Sequence, residues 1–249
     1  VQPTITSLTN QHVKKVRALH AKKGRTQHQE LIAQGMRCTQ TFFDAGWQAT
    51  HLYITPEHQH HSITQRCDAV SIVEPIVMQK MSTSKTPSGI LATFAIPTNN
   101  EPTNIKPGLV LADLHEPGNV GTLIRTSVAL DLQNIILIDG CDPWSPKVVQ
   151  STSGNIANIT IIQTTWQALI EHKSRPTLTA LVVDSGDAPV HNKLSQSLLV
   201  VGNEAHGLNS TWLASCDQKV TLPMPGKSES LNAAVAGSLA AYLAFLPKQ

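Results

Sequence analysis

A chain of 249 residues with 41% hydrophobic content can bury one full-sized core or two small ones. No bias toward Gly, Pro or charge marks it as fibrous or disordered, and no apolar run approaches the roughly 18 residues of a membrane span. The net charge of +2 is too small to announce a nucleic-acid partner, but ten Lys and Arg stand against five Asp and Glu before Pro97, and nine against twelve after it. Cys38, Cys67, Cys141 and Cys216 are scattered without a CxxC pair, so they read as free thiols of a reducing compartment, with no metal site expected. The opening VQPTITSLTN lacks the pattern of a secretory signal, and the expected address is the cytoplasm.

In chain order, Ser7 or Thr9 can cap a first helix, HVKKVRALH, in which Val13, Val16 and Leu19 share a face. Lys14, Lys15, Arg17, Lys22, Lys23 and Arg25 cluster ahead of the first acidic residue, Glu30. Such a patch attracts phosphates and releases their counterions; a solvated helix face is the plainer reading. A second helix is expected over 29–45, then a strand at HLYIT. VSIVEPIVMQKM reads as a strand running into a helix, and TSKTPSGILATFAIP as a turn followed by a strand. Residues 1–97 thus form a small α/β unit, and the Pro, Asn and Gly of PTNNEPTNIKPG place a linker at 98–106.

From 107 to 249 apolar runs recur: LVLADL, NIILID, ANITII, LTALVVD, SLLVVG and KVTLPM, most of them separated by helical or loop stretches. Runs that are apolar on both faces and alternate with helices predict a parallel sheet covered on both sides, an α/β domain. Ser230 to Phe245 make a last, mostly apolar helix with Leu231, Val235 and Leu239 along one stripe. There are no internal repeats.

Open parallel sheets bind ligands where their strands end. Three segments put unusual polar residues there. In LADLHEPGNVGTLIRTS, Gly118 and Gly121 permit close backbone approach, Asn119 is placed to cap a helix, and Arg125 lies one to two turns on. In LLVVGNEAHGLN, Glu204 directly follows a buried strand, which is costly unless the carboxylate has a partner or a task; a charge at a helix start is the plainer reading. His206 receives no role. In VTLPMPGKSESLNAAVAGSLAAYL, Pro223 and Pro225 stiffen a loop, and Ser228, Glu229, Ser230 and Asn232 gather at a helix start, where Ser228 or Ser230 as a mere cap is the alternative. The GxGxxG and GxxxxGK[ST] fingerprints are absent, which argues against a nucleotide- or NAD-dependent enzyme.

Taken in order, NxGxxxR (Asn119, Gly121, Arg125), GNExxGL (Gly202 to Leu208) and LPMPGKSESLNAAVA (Leu222 to Ala236) resemble the three motifs of the SpoU/TrmH family of RNA 2′-O-methyltransferases, of the SPOUT superfamily. SPKVVQSTSGNIANI is similar to that family's stretch between its first and second motifs. ITSLTNQHVKKVRALHAKKGR and STSKTPSGILATFA resemble its accessory RNA-binding domain, with Gln34-Gly35 where relatives usually carry Glu-Gly.

The resemblance implies a small RNA-binding α/β domain at 1–97, then a parallel-sheet domain at 107–249 closed by a trefoil knot. It implies S-adenosyl-L-methionine as cofactor, held by Gly202, Asn203, Glu204, Gly207, Leu222, Pro223, Met224, Ser230, Leu231 and Ala234. Arg125, Asn119, Glu204, Ser230 and Asn232 become the catalytic set, and Lys14, Lys15, Arg17, Lys22, Lys23 and Arg25 the RNA grip. The implied partners are a ribosomal or transfer RNA, ribosomal in preference, and a second copy of the chain, with no membrane and no metal. The rival is a non-catalytic RNA-binding protein that keeps the fold.

Overall fold

The computed structural model describes residues 4–98, 104–227 and 229–246, so residues 99–103 of the expected linker, and Ser228, lie outside the described residues. Its elements run α1 (Gln11–Ala18), α2 (Lys22–His28), β1 (Glu30–Gln34), α3 (Met36–Asp44), β2 (Ala49–Ile54), β3 (Val70–Ile72), α4 (Pro75–Met81), β4 (Ile90–Ala95), β5 (Gly108–Ala112), α5 (Pro117–Ala129) and β6 (Asn134–Ile138). Then come α6 (Pro146–Ser151), β7 (Thr160–Gln163), α7 (Trp166–Glu171), β8 (Thr177–Val182), α8 (His191–Leu194), β9 (Ser197–Val201), α9 (Ser210–Ala214), β10 (Gln218–Thr221) and α10 (Ala233–Phe245). The chain divides into two compact units, Val1–Thr98 with Asp142–Asn158, and Asn99–Cys141 with Ile159–Gln249.

The first unit is a four-stranded mixed sheet in the order β1-β4-β2-β3, with only β2 and β3 parallel. One core cluster joins Val13, Val16 and Leu19 of the first helical stretch to Ile32, Tyr53 and Leu91 of the sheet and to Val77, Met78 and Met81 of α4. A second cluster is aromatic: Phe42 stacks on Phe94 at 4.7 Å, and Trp47 meets Phe42 at 5.1 Å and Trp144 at 6.2 Å. Trp144 belongs to the 142–158 segment, which the motif reading assigned to the C-terminal half. That segment packs here because Trp144, Val148, Val149 and Ile156 are apolar and buried, and Trp47 Nε1 donates to the Ala157 carbonyl at 3.0 Å.

Two local expectations are corrected. The helix expected over 29–45 is β1 followed by α3. Gln29 and Gly35 have φ of 52° and 86°, which a right-handed helix does not pass through, and between them Leu31, Ile32 and Ala33 are buried on successive positions, as a strand covered on both faces requires. The cap of α1 is Asn10, whose side chain accepts from the His12 N–H at 2.8 Å, in place of Ser7 or Thr9.

The second unit is the expected α/β sheet, six strands in the order β10-β8-β9-β5-β6-β7 and all parallel. The central strands β5, β9 and β6 are buried at every position, which is why their sequences are apolar without alternation. Consecutive strands β5 and β6 pair, but β9 returns to lie on the other side of β5. The order therefore reverses beside β5, and β5 and β9 end together where a ligand crevice is expected.

Candidate active site

At the end of β5 the backbone turns through Asp113, at φ 60°, and α5 begins at Pro117. The cap is Glu116, whose carboxylate accepts from the Gly118 N–H at 3.4 Å, and Pro117 suits the first helical position because no N–H is needed there. Asn119, expected as the cap, instead lies inside the first turn and is only 9% exposed. Its side chain is therefore free for other partners.

Those partners come from the two other loops. After β9, Asn203 and Gly207 exchange backbone hydrogen bonds of 3.1 and 2.9 Å, closing a tight turn. A side chain at Gly202 would bring its Cβ within 2.5 Å of the Gly207 carbonyl carbon, so glycine is required. Asn203 braces the turn, accepting from Ala205 and His206 N–H at 2.9 and 3.2 Å and donating to the Asp113 carbonyl at 3.0 Å. The turn thereby aims Glu204 at the start of α5. Its carboxylate accepts from His115 N–H at 3.3 Å, Glu116 N–H at 3.0 Å and the Asn119 side-chain amide at 3.1 Å. From the third loop, Asn232 caps α10 through the Ala234 and Val235 N–H groups at 2.9 and 3.2 Å, and donates its amide to Asn119 Oδ1 at 3.1 Å. Asn232, Asn119 and Glu204 thus form one directed chain of hydrogen bonds across positions 85 and 113 residues apart.

The electrostatics follow from that chain. Partial desolvation pushes the Glu204 carboxyl up. The N–H groups of Glu116, of Glu204 itself and of His115, together with the Asn119 amide, outweigh it and hold the group below the ordinary value of 4.5. Its charge is met by dipoles at a helix start, with no cation in the network.

Beside the network lies a cavity of about 490 Å³. Of the ten residues expected to hold a cofactor, Gly202, Asn203, Glu204, Gly207, Leu222, Met224, Ser230 and Leu231 line it. Pro223 and Ala234 are not among its lining residues. Ala234 turns inward at 3% exposure, and its neighbours Ala233 and Ala236 line the cavity instead. The end of β8 contributes Val183, Asp184 and Ser185, which sequence reasoning passed over. The signal was present, since LTALVVD ends a buried strand on a carboxylate just as SLLVVGNE does. His206, left without a role, also lines the cavity.

Arg125 stands apart. It lies six residues beyond Asn119 on α5, about 240° around the helix, whereas Thr126 faces α10 through a 2.9 Å contact with Ser238. Arg125 is exposed, its side chain makes no hydrogen bond or ion pair among the described residues, and it does not line the cavity. The basic patch on the first unit also divides. Lys14, Arg17, Lys22 and Lys23 are exposed, while Lys15 pairs with Glu30 at 2.8 Å. Arg25 is a correction: it is 3% exposed and donates to Asp142 at 2.6 and 3.0 Å and to the Leu19 and His20 carbonyls at 2.8 and 3.0 Å. A buried guanidinium needs such partners, and with them it has no face left for RNA.

Among the described residues no group of three or more His, Cys, Asp or Glu is placed to hold a metal ion, and no helix is long and apolar enough to cross a membrane.

With this geometry in hand, comparison with known proteins is specific. Residues 107–242 match the model of the SpoU rRNA Methylase family, and residues 10–92 that of the MRM3-like substrate binding domain. An uncharacterized tRNA/rRNA methyltransferase of Synechocystis is 31% identical over 96% of this chain and 92% of its own length. The 23S rRNA (guanosine(2553)-2′-O)-methyltransferase RlmP of Bacillus subtilis is 26% identical over 96% of this chain and 97% of its own. The crystal structure of an AdoMet-bound rRNA methyltransferase from Sinorhizobium meliloti superposes with a TM-score of 0.85 at 26% identity, covering 97% of this chain and 96% of that one.

Proposed function

This chain belongs to the SpoU rRNA methylase family, and from that premise we propose that it transfers a methyl group from S-adenosylmethionine to a ribose 2′-hydroxyl of ribosomal RNA. The observation that carries the reading is the Asn232–Asn119–Glu204 chain at the edge of the cavity, which joins the three motif loops into one site. The cavity suits the cofactor. Its volume falls within the roughly 300–1,000 Å³ of small-molecule sites. Leu181, Leu222, Met224 and Leu231 offer apolar walls, and Asp184, Ser185, Asn203 and Ser230 offer polar groups among them.

When bound, the cofactor supplies a methyl group on a sulfonium that already leaves readily, so alignment is most of what the protein must provide. Glu204 and Asn232 fix the orientation of Asn119, and all three hold the ends of β5, β9 and α10 in register around the reacting groups. Arg125 carries a guanidinium, a fork of donors only, so its part is to grip an RNA phosphate and stabilise charge developing on the ribose oxygen, whose proton passes to that phosphate or to water. Because Arg125 does not line the single-chain cavity, bound RNA or a second copy of the chain brings it into play.

The reading extends to a trefoil knot and a homodimer. Supporting the knot, β10 forms one edge of the sheet beside β8, whereas α10 packs on β9, α5 and α8, so the chain returns from the sheet edge toward its centre between β10 and α10. Supporting the dimer, α10 buries its small residues, Ala234, Gly237, Ala240, Ala241 and Ala244, and turns Val235, Leu239, Tyr242 and Leu243 outward at 46–54% exposure. A contiguous apolar face of this kind marks an association surface. Sedimentation velocity at micromolar concentration tests it, and a monomer mass would remove the dimer from the reading. Exposed Lys14, Arg17, Lys22 and Lys23 supply phosphate contacts, and a ribosomal RNA substrate favours a cytoplasmic address.

The test is transfer of labelled methyl to a 23S ribosomal RNA transcript. Wild type labels the ribose, and Arg125→Ala loses about 100- to 1,000-fold in rate, as removal of a charge-stabilising donor does, while calorimetry shows cofactor binding intact. RNA binding by wild type without any transfer would establish the non-catalytic alternative instead. Full turnover by Arg125→Ala would dismiss the role of that residue.

A further inference from the structure

In the first unit, the segment 82–88 between α4 and β4 is exposed at Thr83, Lys85, Thr86 and Ser88. An exposed loop of Ser, Thr and Lys ordinarily moves. This one is pinned along its length. Gln34, the last residue of β1, accepts from the Ser82 hydroxyl at 2.7 Å and from the Thr83 N–H at 2.8 Å, and its amide donates to the Thr83 hydroxyl at 2.7 Å. Ser82 and Ser84 then accept from the N–H groups of Ser84 and Thr86 at 2.9 and 3.3 Å. At the far end the His58 ring donates to the Ser88 carbonyl at 2.9 Å. Ordering exposed residues costs conformational entropy and returns no burial. Such a loop is worth ordering when something binds it, because the ordering cost is then already met before the encounter.

The chemistry presented is specific. Lys85 makes no ion pair or hydrogen bond among the described residues, and neither does the side chain of exposed Arg37 on the first turn of α3, just past Gly35. Glu57, the carboxylate near the far end, accepts from the Thr55 hydroxyl at 3.0 Å. Lys85 among the hydroxyls of Thr83, Thr86 and Ser88, with Arg37 two residues past Gly35, where an added Cβ would lie 3.4 Å from the Ser88 hydroxyl, matches a backbone of phosphates and 2′-hydroxyls. The loop also lies inside the segment that matches a substrate binding domain.

We propose that loop 82–88, with Arg37 beside it, is a contact surface for the RNA backbone, and that Gln34 is the positioning residue that holds it in its binding shape. This deepens the methyltransferase reading and rests on it. A glutamate at this position would serve the same clamp. Two of the three bonds end on an acceptor oxygen, and the third reverses when the Thr83 hydroxyl donates to a carboxylate. The two side chains are therefore interchangeable as a clamp.

The experiment uses the full chain and a 23S ribosomal RNA transcript. Hydrogen exchange reads the loop, and filter binding across salt concentrations reads affinity. Gln34→Ala should lose amide protection at Thr83 and weaken RNA binding about tenfold, raising KM with kcat little changed, while Gln34→Glu keeps the protection. Lys85→Ala should keep the loop protected, weaken binding and lower the salt slope by about 1, the share of one phosphate. Cofactor binding by calorimetry should match wild type in all three. Wild-type affinity and salt slope in both Lys85→Ala and a Thr83→Val, Thr86→Val double variant would overturn the proposal, whether or not Gln34→Ala folds. Methyl transfer by wild type persisting in that case would leave the enzyme assignment standing.

Discussion

Two polar networks tie distant parts of this chain together, and they are built on opposite terms. In the first unit Arg25 and Asp142 meet with side chains only 4% and 14% exposed, across 117 positions, and Arg25 Nη1 donates to two backbone carbonyls besides. In the second unit Glu204, Asn119 and Asn232 meet at the rim of a cavity, and the one charge among them is balanced by N–H dipoles alone. A buried ion pair is expensive to break and has nothing to offer a substrate. A dipole-held carboxylate at a cavity rim costs less to disturb and stays accessible. Charge type in the sequence does not tell the two apart; surroundings do.

The contrast breaks most sharply at Arg25. Arg25→Ala leaves Asp142 without its partner and should destabilise the protein by about 3–5 kcal/mol in denaturant unfolding. Lost RNA binding at unchanged stability would instead return Arg25 to the phosphate-gripping set. Next in size is Asn119→Ala, which strips a donor from Glu204 and an acceptor from Asn232. It should lower kcat/KM for methyl transfer about ten- to a hundredfold with little change in unfolding midpoint. A large loss of stability there would make the rim network architectural as well.

The smallest effect is on pH. His51 of the first unit is pushed down to about 4, first by burial and then by His12 and Lys15. A depressed histidine favours the folded state while neutral, so this contribution is whole above 6.5 and is lost as pH falls from there toward about 4. Glu204 is also depressed, and its contribution stays whole down to 4.5 and is lost only below it. Thermal unfolding of His51→Phe and Glu204→Gln beside wild type should therefore show differences that change over separate pH windows, the first starting at higher pH. A single shared window would contradict the assignment.

The two units also differ in how they can be separated. Because 142–158 packs with the first unit, removing residues 1–97 would strip Val148, Val149 and Ile156 of their cover. Loss of RNA binding in such a truncation would not isolate an RNA-binding role, so single substitutions in the full chain are the cleaner instrument.

The parallel sheet was legible because β5, β6 and β9 are buried on both faces, and continuous apolar runs such as NIILI serve few other purposes. The three polar loops were legible because carboxylates, amides and glycines at the ends of such strands are costly without a task. β1 was misread because ELIAQ is short enough to satisfy either period, and its neighbour β4 lies some sixty residues away in sequence. The place of 142–158 was hidden for a similar reason. Its apolar residues announce burial without saying against which unit.

Local chemistry thus settled most element types, the strand ends at which to look, and the side chains able to act there. Partnership was decided only in three dimensions: that Arg25 is consumed by Asp142, that Asn119 joins Glu204 to Asn232, that Arg125 does not line the cavity, and that Gln34 clamps a loop 48 positions on. Hydrogen bonds and ion pairs act over about 3 Å. Which groups come within that range depends on how the whole chain packs, and no local pattern of residues carries that information.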